Sequence, residues 1–308
     1  MLITRPYPDE YCRGHIARLG CLNGLSSIAE TIAALQRLSN QGLAAKDKLS
    51  KIASVAQQCG ISSKQYAHAH SFLSYIAFTD WSRDTWDRRT QNRWALVVPG
   101  SRPPHLCERC VEDDLVKHSV SYWHRAHQFP GMNWCVKHDS VLWISPIEDD
   151  FFHMPHRQLN FSVSASTHLG HRYSDLPDAL VRFHKAVELM ARCEVRLTHD
   201  AVKQALRQRL GILGQQDETI AKMNKTSFLS DLLISTFQID WLANIFPSIH
   251  KKRNQQMFGV IDSVILESTP KPPNSAAIAF FLALFFDDPV AGFDYLVPMP
   301  PIKSKSNI

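Results

Sequence analysis

Cys107 and Cys110 form a C-x2-C pair, and after 24 intervening residues Cys135 and His138 form a C-x2-H pair. Three thiolates and one imidazole on two tight turns make a tetrahedral donor set for a single Zn²⁺. Four protein donors close such a site and leave no position for substrate or activated water, so the spacing predicts a structural zinc ion. His124 and His127 lie between the pairs and are alternative donors. They rank lower because neither pairs with a cysteine as naturally as His138 does. Phe129, Trp134, Val141 and Leu142 can pack around the metal, and Gly131 lies just before the second pair.

A second kind of chemistry is recognition. Ser62 followed by Gln65 is a capping box that opens a helix after Gly60, and a helical pattern precedes that glycine. Helix, glycine turn and capped helix have the layout of a helix-turn-helix, with an ordinary helical hairpin as the alternative. In a DNA reader, Ser63, Lys64, Gln65 and His68 would face the groove. Only Lys64 is charged, which predicts weak phosphate binding. Between positions 81 and 109, six arginines outnumber three acids, with Trp81, Trp86 and Trp94 interleaved. Arg83, Arg88, Arg89 and Arg93 there suit phosphate contacts beside stacking indoles, or a charged face over a tryptophan-rich core.

Catalytic constellations are missing. There is no Walker lysine motif and no G-x-S-x-G. A zinc-stapled nuclease of the His-Asn-His type would use His124, His127 and Asn133, but the adjacent acid-His or His-His pair is absent and no carboxylate is placed to hold a catalytic metal. No enzymatic activity and no ATP chemistry are expected.

The elements that must position these residues are mostly helical. The apolar spacing predicts helices from Asp9 to Asn23, from Ser27 to Leu38, from Leu49 to Gly60 and from Ser62 through Ile76. Further helices are expected over Ala179–Cys193, over Asp200–Leu210 capped by Thr198 and stopping at Gly211, to about Thr236 from a cap at Thr226 or Ser227, and over the buried run Ala276–Phe286. Ser119–Phe129 reads as a strand or extended arm. The fold class is mainly α, with a helix-turn-helix domain over 1–100, a zinc module over 101–150, a connector over 151–175, a helical C-terminal domain over 176–297 and a disordered tail over 298–308.

With 308 residues, 44% of them hydrophobic, the chain can bury a sizeable core. Its net charge of +5 is mildly basic. That permits nucleic-acid contact without requiring it. Cys12, Cys21, Cys59 and Cys193 are scattered, and no secretory leader is visible, so a disulfide scaffold is disfavoured and a reducing, cytoplasmic location is expected. The longest apolar run is too short to span a bilayer, so no membrane partner is expected.

Three stretches resemble the TniQ family, which includes TnsD-type target selectors of bacterial cut-and-paste transposons. RPYPDEYCRGHIARLGCLNG resembles its opening, C-x2-C at Cys107 and Cys110 its first zinc pair, and YWHRAHQFPGMNWCVKHDSVL the segment around its second. The resemblance covers about residues 1–145. It implies a helix-turn-helix domain, a zinc-bound middle, and a non-enzymatic adaptor that marks an insertion site and recruits an AAA+ ATPase regulator of the transposase. Some members bind attachment-site DNA. Others sit on a CRISPR Cascade complex carrying a guide RNA and can form a homodimer. Some also carry a second zinc site, but here only Cys193 remains after position 138. The low charge favours the Cascade role. A stand-alone sequence-specific regulator is the competing reading.

Overall fold

Ser27 accepts a hydrogen bond from the Glu30 N–H and starts helix α2 (Ile28–Ser39), which packs on α1 (Cys12–Leu22). Ser50 caps α3 (Lys51–Gln58) and Ser62 caps α4 (Ser63–His70) in the same way. In the α4 cap the Ser62 hydroxyl also donates to the Gln65 side chain at 2.9 Å. Gly60, at φ +66°, makes the turn between α3 and α4 in a conformation open to glycine at no steric cost. These elements come from a computed structural model that describes residues 1–80, 103–147, 150–165, 170–195, 197–215, 220, 228–266 and 273–297.

The helix expected to run to Ile76 breaks after His70. Ser71 is extended, and its hydroxyl donates to the Ala67 carbonyl and accepts from the Leu73 N–H. That local alternative to the helical ladder starts a one-turn helix, α5 (Leu73–Ile76). Tyr66, Phe72 and Leu73 point inward as expected, whereas Ala69 is exposed.

The middle of the chain holds short strands around one helix. They are β2 (His105–Leu106), α6 (Glu108–His118), β3 (Trp134–Cys135), β4 (Ser140–Val141), β5 (Trp143–Ile144) and β6 (Val163–Ser164). β3 and β4 form an antiparallel pair, and β5 lies antiparallel between β2 and β6. The arm over Ser119–Phe129 is not a strand. Ser119 turns left-handed at φ +60° to end α6, Arg125–Gln128 is a 3-10 turn, and a single bridge joins His124 to Glu10. Residues 151–165, read as part of a connector, are packed structure. They carry α7 (Pro155–Gln158) and β6, and Phe151 is fully buried between Tyr11 and Trp123.

The C-terminal part consists of α8 (Asp178–Arg192), β7 (Leu197–Thr198), α9 (His199–Gly214), α10 (Leu229–Thr236), α11 (Ile239–Ala243), α12 (Gly259–Asp262), α13 (Ser275–Phe285) and α14 (Pro289–Leu296). β7 pairs in parallel with β1 (Thr79–Asp80). α13 is apolar all round and buried along nearly its whole length, with Phe280 stacked on Phe183 at 4.0 Å and Trp241 edge-on to Phe183 at 5.6 Å. α9 passes through Gly211 instead of stopping there. A glycine in a helix costs about 1 kcal/mol. Arg209 donates to the Phe285 carbonyl and lies over the Phe286 ring, and a charged hydrogen bond of that kind contributes about 1.5–3 kcal/mol. The candidate caps Thr226 and Ser227 and the tail 298–308 lie outside the described residues.

The fold is mostly helical with few strands, and one buried apolar cluster extends from Tyr11 to Leu296. No helix among the described residues is long and apolar enough to cross a membrane.

Candidate metal centre

Cys107 is the N-cap of α6, and Cys110 sits in that helix's first turn. Both thiols therefore lie at the positive end of the helix, which favours thiolates. Cys135 ends β3, and His138 follows in the tight turn to β4, where Asp139 adopts φ +50°. The carboxylate of Asp139 accepts from the backbone and hydroxyl of Ser174 at 2.7 and 2.9 Å, which pins that turn.

The fold brings all four predicted donors together, with their donor atoms within 4.8 Å of one another. His138 Nδ1 lies 3.4, 3.3 and 3.7 Å from the sulfurs of Cys107, Cys110 and Cys135, and the Cys110 and Cys135 sulfurs are 3.7 Å apart. A tetrahedral ion bonded at about 2.0 Å to nitrogen and 2.3 Å to sulfur needs donor–donor edges of roughly 3.5–3.8 Å. The four residues therefore fit a single metal ion. The three cysteines are buried, and the His138 side chain is 9% exposed. Hydrogen bonds with Cys110 and Cys135 push the Cys107 thiol down, while its bond with Cys107 pushes Cys135 up to about 11. Three thiolates this close repel one another, so a cation among them is what lets all three ionise.

The surroundings support the donors. His138 Nε2 faces Asp113 Oδ2 at 3.1 Å, and Asp113 also binds Lys137. His127 Nε2 lies 3.8 Å from Cys110 Sγ, and Ser140 Oγ lies 3.7 Å from Cys107 Sγ. His127 is thus behind a ligand sulfur instead of among the donors. His124 is taken by Asp114, whose Oδ2 lies 3.0 Å from its Nε2. Asp113 escaped the sequence reading, although its place one helical turn beyond Cys110 was a signal available there.

The N-terminal segment is built onto this centre. Arg125 donates its N–H to the Asp9 carbonyl at 2.7 Å and its guanidinium to the carbonyls of His68 and Ser71 at 2.5 and 3.2 Å. It thereby joins the chain start, the end of α4 and the arm behind the metal ligands. Glu10 is fully buried and receives two hydrogen bonds from Arg18, at 2.9 and 2.8 Å. A Cβ on Gly14 would lie 2.9 Å from Trp123, so only glycine lets α1 approach that indole.

The candidate recognition residues Ser63, Lys64, Gln65 and His68 all lie on α4. Lys64 and Gln65 are exposed, while Ser63 and His68 are half-buried. Lys64 pairs with Glu194 at 3.2 Å, Gln65 belongs to the helix cap, and His68 Nδ1 contacts the Ser74 hydroxyl at 2.6 Å. Arg83, Arg88, Arg89 and Arg93 lie outside the described residues.

No curated protein matches the sequence. Residues 1–142 match the family model TniQ, a span that holds α1 to α6 and all four donor residues. The likeness to the TniQ family thus covers the first 142 of 308 residues and takes in the whole donor set.

Proposed function

We propose that Cys107, Cys110, Cys135 and His138 hold one structural Zn²⁺ and that the chain is a non-enzymatic target-selection adaptor in DNA transposition. In this reading it links a target-recognition complex, either CRISPR Cascade with its guide RNA or attachment-site DNA, to an AAA+ ATPase regulator that recruits the transposase. The observation that carries it is the family match, which begins at residue 1 and closes at Leu142, just past the last metal donor. Three thiolates and an imidazole gathered within 4.8 Å of one another suit zinc, which has no redox chemistry and no angular preference of its own. A site filled by four protein donors has no coordination position for a substrate, which supports a structural role over a nuclease one.

Between Cascade and bare DNA, the polar face of α4 favours docking to a protein or ribonucleoprotein. Three of its four candidate residues are already engaged within the chain. Tight base reading needs several free side chains on one face together with many phosphate contacts. The test is co-purification with Cascade and with the AAA+ ATPase encoded by neighbouring genes. Recovery of one assembly containing both is the expected result. Nanomolar, sequence-selective DNA binding by the isolated protein at physiological salt, lost on changing Lys64, Gln65 and His68, would replace the adaptor with a direct DNA reader.

A further inference from the structure

A neutral imidazole has one N–H and one lone pair, and whichever nitrogen donates fixes what the other can do. The only described carboxylate facing His138 is that of Asp113, whose Oδ2 lies 3.1 Å from Nε2, and Nδ1 faces the three sulfurs. With the proton on Nε2, the Nδ1 lone pair points at the metal position. Asp113 lies three residues after Cys110 on α6, so the helix that supplies two sulfur donors also supplies the group that orients the nitrogen donor. Lys137, inside the second ligand pair, binds the same carboxylate. The neighbouring Asp114 does something else: it faces His124 and the Tyr122 N–H.

We propose that Asp113 is a positioning residue of the metal centre, holding His138 in the tautomer and orientation that present Nδ1 to the ion. The inference rests on the zinc reading of the four donors. Asp113 is half-exposed, with its side chain 52% accessible, so it can be changed without opening the core. Outer carboxylates of this kind change metal affinity by about 10–100-fold.

The test uses the full chain as wild type, Asp113→Ala, Asp113→Asn, Asp113→Glu and Lys137→Met. Zinc transfer to a chromogenic chelator gives affinity, circular dichroism gives the fold, and the absorption bands of the Co²⁺-substituted protein report the donor geometry. D113A is expected to release zinc about 10–100-fold more readily and to shift the Co²⁺ bands. D113E should recover most of the loss, and K137M should lose clearly less than D113A. If D113A does not fold, the near-isosteric D113N carries the same comparison. D113A or D113N binding zinc within twofold of wild type, or K137M matching the D113A loss, would overturn the assignment and leave Asp113 as a surface ion-pair partner. A wild-type protein that binds no zinc would remove the zinc reading itself, and Asp113's role with it.

Discussion

The indole N–H of Trp241 donates to the carbonyl oxygen of Gly131 at 3.0 Å, and the ring covers the Gly131 Cα. His184 Nε2 reaches the same carbonyl at 3.3 Å. The loop leading to Cys135 is therefore seated on α8 and α11, 53 and 110 residues away in sequence. Gly131 is at φ +73°, and a Cβ there would lie 2.7 Å from Trp241 and 2.8 Å from Ile245. Gly131→Ala combines left-handed strain with overpacking and is expected to cost about 2–5 kcal/mol. Denaturant unfolding measures it, and a loss below about 1 kcal/mol would mean the loop is not held against Trp241.

Removing the metal should unfold the middle of the chain, because ligand binding by a structural site is folding free energy. Cys107→Ser with Cys110→Ser is expected to abolish stoichiometric zinc and lower the melting temperature sharply. Metal analysis alongside a thermal scan checks both. Full zinc retention in the double variant would place the ion elsewhere.

Glu10→Gln leaves the Arg18 guanidinium buried without its counter-charge. Breaking a buried pair from one side costs about 3–5 kcal/mol. Arg18 also donates to Thr4 Oγ1 and the Arg5 carbonyl and lies over the Tyr7 ring, so the first residues of the chain should loosen too. Unfolding curves test the stability, and faster amide exchange across residues 4–7 tests the loosening.

His15 is buried between the Tyr66 hydroxyl at 2.7 Å and the Thr4 carbonyl at 2.9 Å, and burial pushes its pKa down to about 3. Its unfolded value is about 6.5, so between those limits the unfolded chain binds the extra proton. Stability from this residue is complete above about pH 6.5 and falls as pH drops toward 3. His15→Gln should flatten the acid limb of a stability–pH profile, measured at fixed zinc. An unchanged slope between pH 6 and 4 would show that other groups set it.

Much of this arrangement was legible in local chemistry. Ser27, Ser62 and Thr198 cap helices where their side chains announce caps, and the run expected from Ala276 to Phe286 is a helix over Ser275–Phe285, buried along nearly its whole length. The four metal donors declared themselves by type and spacing, and the fold brings them together. What escaped depends on partners far along the chain. The break at Ser71 and the seat for Arg125 depend on each other across 54 residues. The packing of Phe151 against Tyr11 and Trp123 cannot be read from a proline-broken segment that looks like a linker. Nor could the passage of α9 through Gly211 be foreseen without knowing what Arg209 would reach.

The third strand of the small sheet sets a limit on dissection. β6 completes the sheet from beyond Leu142, the Ala165 N–H donates to the Leu142 carbonyl at 2.8 Å, and Phe151 fills the space between α1 and the arm. A fragment trimmed at the boundary of the family match would carry every metal donor yet lose both β5 and β6, leaving β2 unpaired beside an open apolar slot, the usual seeds of self-association. The smallest piece worth expressing for zinc or partner studies therefore runs through Ala165, and insolubility of a shorter one would say nothing about the metal.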